Sequence, residues 1–251
     1  MSLTPIARVL SAIRERRVQS LLMGGQACIL YGAAEFSRDA DLAVFASRDN
    51  FDNLNQVLAD LAAEVVAVPP FEMEYLERGH AIHFRCRHPD LRGARLDIMT
   101  KMLGVDAFPE LWERRTTFPL PEGLEVEAMS LPDLVASKKT QRDKDWPMIR
   151  RLVEANYEQF FEAPGDERVR FWLGELRTPE LLVECASRFP EAAGRMAGER
   201  RAVAAALSGD EPGVTVQLNQ EREREMELDR AYWATLRAEL EALRRERRKA
   251  R

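Results

Sequence analysis

Three aspartates stand where a folded chain rarely places a charge. Asp39 and Asp41 are separated by one alanine and lead into an apolar run, Leu42 to Phe45, while Asp97 sits between Leu96 and Ile98. In a strand alternate side chains share a face, so Asp39 and Asp41 point one way and Ala40, Leu42 and Val44 the other. Two carboxylates held that close repel unless a cation lies between them. Oxygen-only ligands of this kind suit Mg²⁺, which takes one or two carboxylates together with substrate phosphate oxygens. Asp97, inside its own apolar strand, must either be exposed at a sheet edge or be paired or metal-bound, because a bare charge facing a core is costly.

The elements that position these residues can be read from the same stretch. Val18 to Met23 is an apolar strand ending at Gly24-Gly25, and a helical segment, Gln26 to Tyr31, follows the turn. Free backbone N–H groups there could face a triphosphate, although a glycine pair also simply makes a sharp strand-to-helix turn. Ahead of it, Pro5 to Arg17 has helical apolar spacing with Thr4 as N-cap. Asn50 to Glu64 reads as a second helix, and Val65 to Val68 as a short strand stopped by Pro69-Pro70. His80 to Arg87 and Ala94 to Thr100 read as an antiparallel hairpin, the second strand carrying Asp97. Pro109, Pro119 and Pro121 break the pattern until Leu124 to Met129, a last strand, after which Ser130 caps a helix with Asp133 at its third position.

From there the chain turns helical. Leu131 to Tyr157 holds Lys138 and Arg142, four apart and so on one helix face, with Asp145 close behind. Such a face is either solvated or presented to phosphates. Helices follow at Asp166 to Leu176, Pro179 to Arg188 and Glu191 to Leu207, then Val214 to Leu218 as a short strand or linker, and one long charged helix, Asn219 to Arg251. Its basic end, LRRERRKAR, suits the helix dipole or an arm reaching RNA. The expected class is therefore α+β, with a sheet domain over 1–130 and a helical domain over 131–251.

Composition narrows the partners. In 251 residues with 45% hydrophobic and 31% charged side chains, a net charge of −5 gives no global case for nucleic-acid binding. Cys28, Cys86 and Cys185 are far apart and read as reduced thiols, which predicts a cytoplasmic protein. No apolar run approaches a membrane span. His80, His83 and His88 lack zinc spacing, and His83 reads as a hydrogen-bonded strand histidine. The long terminal helix makes a homodimer an open expectation.

Gly24-Gly25, a spacer, then Asp39-x-Asp41 ahead of an apolar strand resembles the signature of the nucleotidyltransferase superfamily, the polymerase-β-like fold. Within it, the chain is most similar to small bacterial AbiEii-like and antibiotic nucleotidyltransferases. Those proteins usually carry Arg and Thr shortly before the acidic pair, places held here by Glu35 and Ser37. They also have a K…R-x-K-D stretch like the one from Lys138 to Asp145. The resemblance implies a mixed sheet with flanking helices, then an all-helical region. It implies Asp39, Asp41 and Asp97 as catalytic and metal ligands for two Mg²⁺ ions, with Gly24, Gly25, Ser37, Lys138 and Arg142 holding the nucleotide. The implied reaction moves an NMP from an NTP to an acceptor that is a small molecule, an RNA or a protein. A toxin–antitoxin enzyme acting on RNA or protein, and an inactive binding module of the same fold, are the alternatives.

Overall fold

The computed structural model describes residues 4–91 and 93–249. Its centre is a seven-stranded mixed sheet, with flanking helices and a helical region after it: an α+β fold. The strands are β1 (Ser20–Met23), β2 (Asp39–Val44), β3 (Ala63–Val65), β4 (Ile82–Cys86), β5 (Arg95–Met99), β6 (Thr116–Pro119) and β7 (Glu125–Ala128), in the order β3-β4-β5-β2-β1-β7-β6. β2 runs antiparallel to β1 and parallel to β5, and β4 and β5 form the expected antiparallel hairpin.

One face of this sheet is core. Ala40, Leu42, Ile82, Phe84, Leu96 and Ile98 are at most 1% exposed. Helix α1 (Pro5–Glu15), capped by Thr4 Oγ1 accepting from the Ala7 N–H at 3.2 Å, contacts β2 and also packs on α3 (Arg48–Asp60). A short α2 (Gly24–Leu30) leads from β1 to the loop before β2. The other face of β4 is open, as its strict alternation of burial shows. Asp97 breaks that alternation in β5: it is buried on the side where Arg95 and Met99 are half exposed.

Several boundaries differ from expectation for one recurrent reason. Prolines read as breaks stand in first helical turns, where the missing N–H is not needed. Pro109 thus lies in α5 (Phe108–Glu113), and Pro190 opens α10 (Pro190–Met196). Pro119 closes β6, an edge strand, where a missing donor is tolerated. The helix expected over Asn50 to Glu64 stops at Asp60, Ala62 has φ +46°, and the following strand is Ala63–Val65 rather than Val65 to Val68. A further helix, α4 (Met73–Arg78), follows the two prolines. Ser130 caps α6 (Leu131–Ser137) as expected, its hydroxyl donating to Asp133 at 2.6 Å and accepting from the Asp133 N–H at 3.3 Å.

Beyond α6 come α7 (Asp145–Phe160), α8 (Asp166–Glu175), α9 (Pro179–Arg188), α10 and α11 (Arg201–Leu207). The long helix α12 (Glu211–Lys249) begins earlier than Asn219, and Val214 to Leu218 is helical. Asp210 caps it, Oδ1 accepting from the Gly213 N–H at 3.0 Å. Contacts divide the chain into two compact units. The sheet unit holds the chain up to Leu30, Ala34–Ser137 and the chain from Tyr232 onward; the helical unit holds Tyr31–Ala33 and Lys138–Ala231. The end of α12 thus belongs with the sheet, where Glu239 pairs with Arg78 and accepts from Nε2 of the fully buried His80 at 2.7 Å. The three cysteines are free and buried. Among the described residues no helix is long and apolar enough to cross a membrane.

Candidate functional site

Register assembles the open face of the sheet residue by residue. Asp41 stands opposite Met23 on β1 and Asp97 on β5, and Asp97 stands opposite His83 on β4. One step along the strands, Asp39 is opposite Arg95, Arg95 opposite Arg85, and Arg85 opposite Glu64. Because alternate residues share a face, these two rows lie side by side on the same surface. Asp41 and Asp97 thus face each other across neighbouring strands, and Asp39 lies one step along on the same face.

The close approach of the glycine turn is visible in what a side chain there would strike. Gly24 has φ +65°, and a Cβ on it would lie 1.8 Å from an Asp41 carboxylate oxygen. A Cβ on Gly25 would lie 2.5 Å from Ser37 Oγ. The two glycines are thus the backbone against which Asp41 and Ser37 pack. Gln26 fixes the same loop, its Nε2 donating to the Ser37 carbonyl at 2.8 Å.

Carboxylates directly opposite one another are unfavourable without compensation. Arg95, and His83 when it is protonated, supply it, and neither was singled out from the sequence for this role. His83 Nδ1 lies 2.9 Å from Asp97 Oδ2, in an alignment closer to an ion pair than to a straight hydrogen bond. That contact raises the His83 imidazole above its ordinary value, against the opposing effect of burial. The Arg95 guanidinium lies 3.8 Å from Asp97 Oδ2 and 3.9 Å from Asp39 Oδ2, within Coulombic range but beyond hydrogen bonding. Asp97 Oδ1 is buried with no hydrogen-bond partner. The signal for both cations was present: Arg95 is two residues before Asp97, and hairpin register fixes His83.

Do these residues fit Mg²⁺? Hard oxygen donors on one face, a buried carboxylate oxygen without a partner and a backbone cradle that a Cβ would fill all suit a divalent cation. Among the described residues, however, no three His, Cys, Asp or Glu side chains converge closely enough to form a ready ligand set. The fit is to an ion held by an in-register pair of carboxylates, completed by substrate oxygens, rather than to a preformed three-carboxylate cage.

Lys138 and Arg142 do not share a helix face. α6 ends at Ser137 and α7 starts at Asp145, so both residues fall in a loop of the helical unit. Polar side chains there satisfy backbone and one another in place of a helical ladder. Thr140 Oγ1 donates to Asp145 at 2.6 Å, Asp229 accepts from the Gln141 N–H at 2.9 Å, and Trp146 Nε1 donates to the Thr140 carbonyl at 2.9 Å. Arg142 Nε donates to Asp145 at 2.7 Å, while Lys138 is buried. A cavity of about 850 Å³ is bordered by Leu22, Gln26, Glu35, Phe36 and Ser37, so that Ser37 touches both this cavity and the glycine turn.

No protein-family model matches the chain, and no curated protein matches it. Among solved structures, it is similar to a protein from H. pylori described as a putative nucleotidyltransferase, with 10% identity, 89% of this chain and 94% of that one covered, and a TM-score of 0.41. JHP933 from Helicobacter pylori matches over 93% of this chain and 95% of its own, with 10% identity and a TM-score of 0.39. With identity that low, the chain's own residues must carry any functional reading.

Proposed function

We propose that the chain is a Mg²⁺-dependent nucleotidyltransferase, moving an NMP from an NTP to an acceptor nucleophile. The observation that carries this reading is the row Asp41–Asp97, with Asp39 on the same face and the Gly24 backbone packed on the Asp41 carboxylate. Asp41 and Asp97 would hold the cation, Asp39 adding its charge from one step along the strand. When bound, Mg²⁺ would neutralise charge building on the phosphoryl oxygens during an in-line displacement.

The chain's own groups have separable tasks. Asp97 faces His83 through one carboxylate oxygen, and its other oxygen, which has no protein partner, would be the one offered to the cation. Gly25 and Ser37 form the bend beside Asp41, the absence of a side chain on Gly25 letting the Ser37 hydroxyl pack against its backbone, and this bend would face the phosphates. The resemblance in motif supports the same chemistry, and an acceptor that is an RNA, a protein or a small molecule suits it equally.

The test is transfer of label from each α-labelled NTP, in Mg²⁺, to pools of RNA, protein and small hydroxylated acceptors. Wild type should label one pool, and Asp41→Asn should label none while keeping the wild-type melting profile. Labelling retained in Asp41→Asn sinks the reading.

A further inference from the structure

Arg95 faces two of the three aspartates, and it has no place in the reading above. Its guanidinium lies between Asp39 Oδ2 at 3.9 Å and Asp97 Oδ2 at 3.8 Å, and it is 41% exposed. Those distances are too long for hydrogen bonds, so the arginine is held by charge alone. A structural staple would look different. At Arg114, for comparison, the guanidinium donates to Asp133 at 3.2 and 2.8 Å and to Asp106 at 2.9 Å. Arg95 instead hovers over a carboxylate face that needs positive charge, beside Arg85 on the next strand.

We propose, resting on the Mg²⁺ reading of this face, that Arg95 is a built-in counter-cation: it neutralises Asp39 and Asp97 when no metal is bound, competes with the metal for them, and is released to the nucleotide polyphosphate when the metal enters. The physical reason is charge balance. The three aspartates carry three negative charges, and Arg95 offsets one of them. A divalent cation added to that set balances the other two and takes the carboxylates that Arg95 faces, so the guanidinium turns to an anion, and its planar fork of donors is suited to phosphate. Metal alone should therefore bind weakly, and metal with nucleotide strongly, because each partner relieves the cost of the other.

Direct binding of Mn²⁺, followed by electron paramagnetic resonance of the free ion, tests this without reference to turnover. Without nucleotide, Arg95→Gln should bind Mn²⁺ roughly three- to tenfold more tightly than wild type, the scale of two half-exposed ion pairs. With a non-hydrolysable ATP analogue at saturation, the gain should disappear or reverse. Arg95→Lys, which keeps the charge, should fall between, and serves if the glutamine variant folds poorly. Arg85→Gln, which removes a charge in the same row but out of contact with the aspartates, should leave Mn²⁺ affinity near wild type. Equal or weaker Mn²⁺ binding by Arg95→Gln in the absence of nucleotide overturns the counter-cation role. If neither wild type nor any variant binds Mn²⁺, the metal reading itself fails.

Discussion

Replacing Gly24 by alanine perturbs the site at one atom, and the structure says how much. The new methyl would lie 1.8 Å from Asp41 Oδ2, 2.4 Å from Cγ and 2.7 Å from Cβ, so no rotation of the carboxylate alone relieves it. β2 is a central strand, paired on both sides, and cannot retreat as a loop does. The backbone φ of +65° adds the cost of a left-handed alanine, about 1–2 kcal/mol, to an overpacking penalty of about 1–3 kcal/mol. The sum, roughly 2–5 kcal/mol, is a large part of the stability of an ordinary domain, and corresponds to roughly 5–15 °C in melting midpoint. Gly25→Ala is the internal control. Its methyl would meet Ser37 Oγ at 2.5 Å and Cβ at 2.8 Å, but Ser37 lies outside any strand and can shift, so the cost should be near 1 kcal/mol. Calorimetry of both variants, with and without Mg²⁺ and a non-hydrolysable NTP, reads the two consequences together. Gly24→Ala should melt lower and lose the ligand-induced shift, because its Asp41 is displaced from the row. A Gly24→Ala protein that melts with wild type, or costs no more than Gly25→Ala, overturns the packing described.

Other expectations follow from single contacts. In metal-free buffer, the His83 ring titrates above the ordinary histidine value because of Asp97, and Asp97→Asn should bring its NMR titration midpoint down; an unmoved midpoint contradicts the pairing. Since that pKa is raised on folding, the pair adds stability that is full below about pH 6.5 and fades as pH rises through the folded value, so His83→Gln should cost more at pH 5.5 than at pH 8.5. Arg114→Met strands the buried Asp133 carboxylate and should lower the urea midpoint by an amount worth about 1–3 kcal/mol, a loss the double variant with Asp133→Asn should largely recover. Asp210→Ala removes the cap of α12 and should cost about 0.5–2 kcal/mol by the same measurement, with no cost if the cap is immaterial.

The sequence was most legible where period and chemistry coincided. Strand alternation put Asp39 and Asp41 on one face, and the resemblance in motif implied Asp97 beside them; register across β2 and β5 sets Asp41 opposite Asp97, with Asp39 one step along. What sequence could not supply was the identity of the charges opposite them. Arg95 and His83 matter through cross-strand neighbours that only pairing defines. The helical half was misread where polar side chains compete with the backbone: Lys138 to Lys144 counted as helix by spacing, yet Thr140, Gln141 and Arg142 are bonded into a loop. A proline misled in the opposite direction, since Pro109 sits in the first turn of a helix rather than between elements. The return of α12 to the sheet unit is a long-range packing fact, set by Glu239 on His80, that no local pattern in a charged helix announces.

The central claim is that the face bearing Asp39, Asp41 and Asp97 takes a divalent cation together with a nucleoside triphosphate. A crystal grown with Mn²⁺ and a non-hydrolysable NTP, with anomalous data collected at the manganese edge, addresses it most directly. The expected result is an anomalous peak within ligand distance of carboxylate oxygens of Asp41 and Asp97, bridged to the nucleotide phosphates. A nucleotide bound elsewhere on the chain, or a manganese peak that ignores these carboxylates, contradicts it.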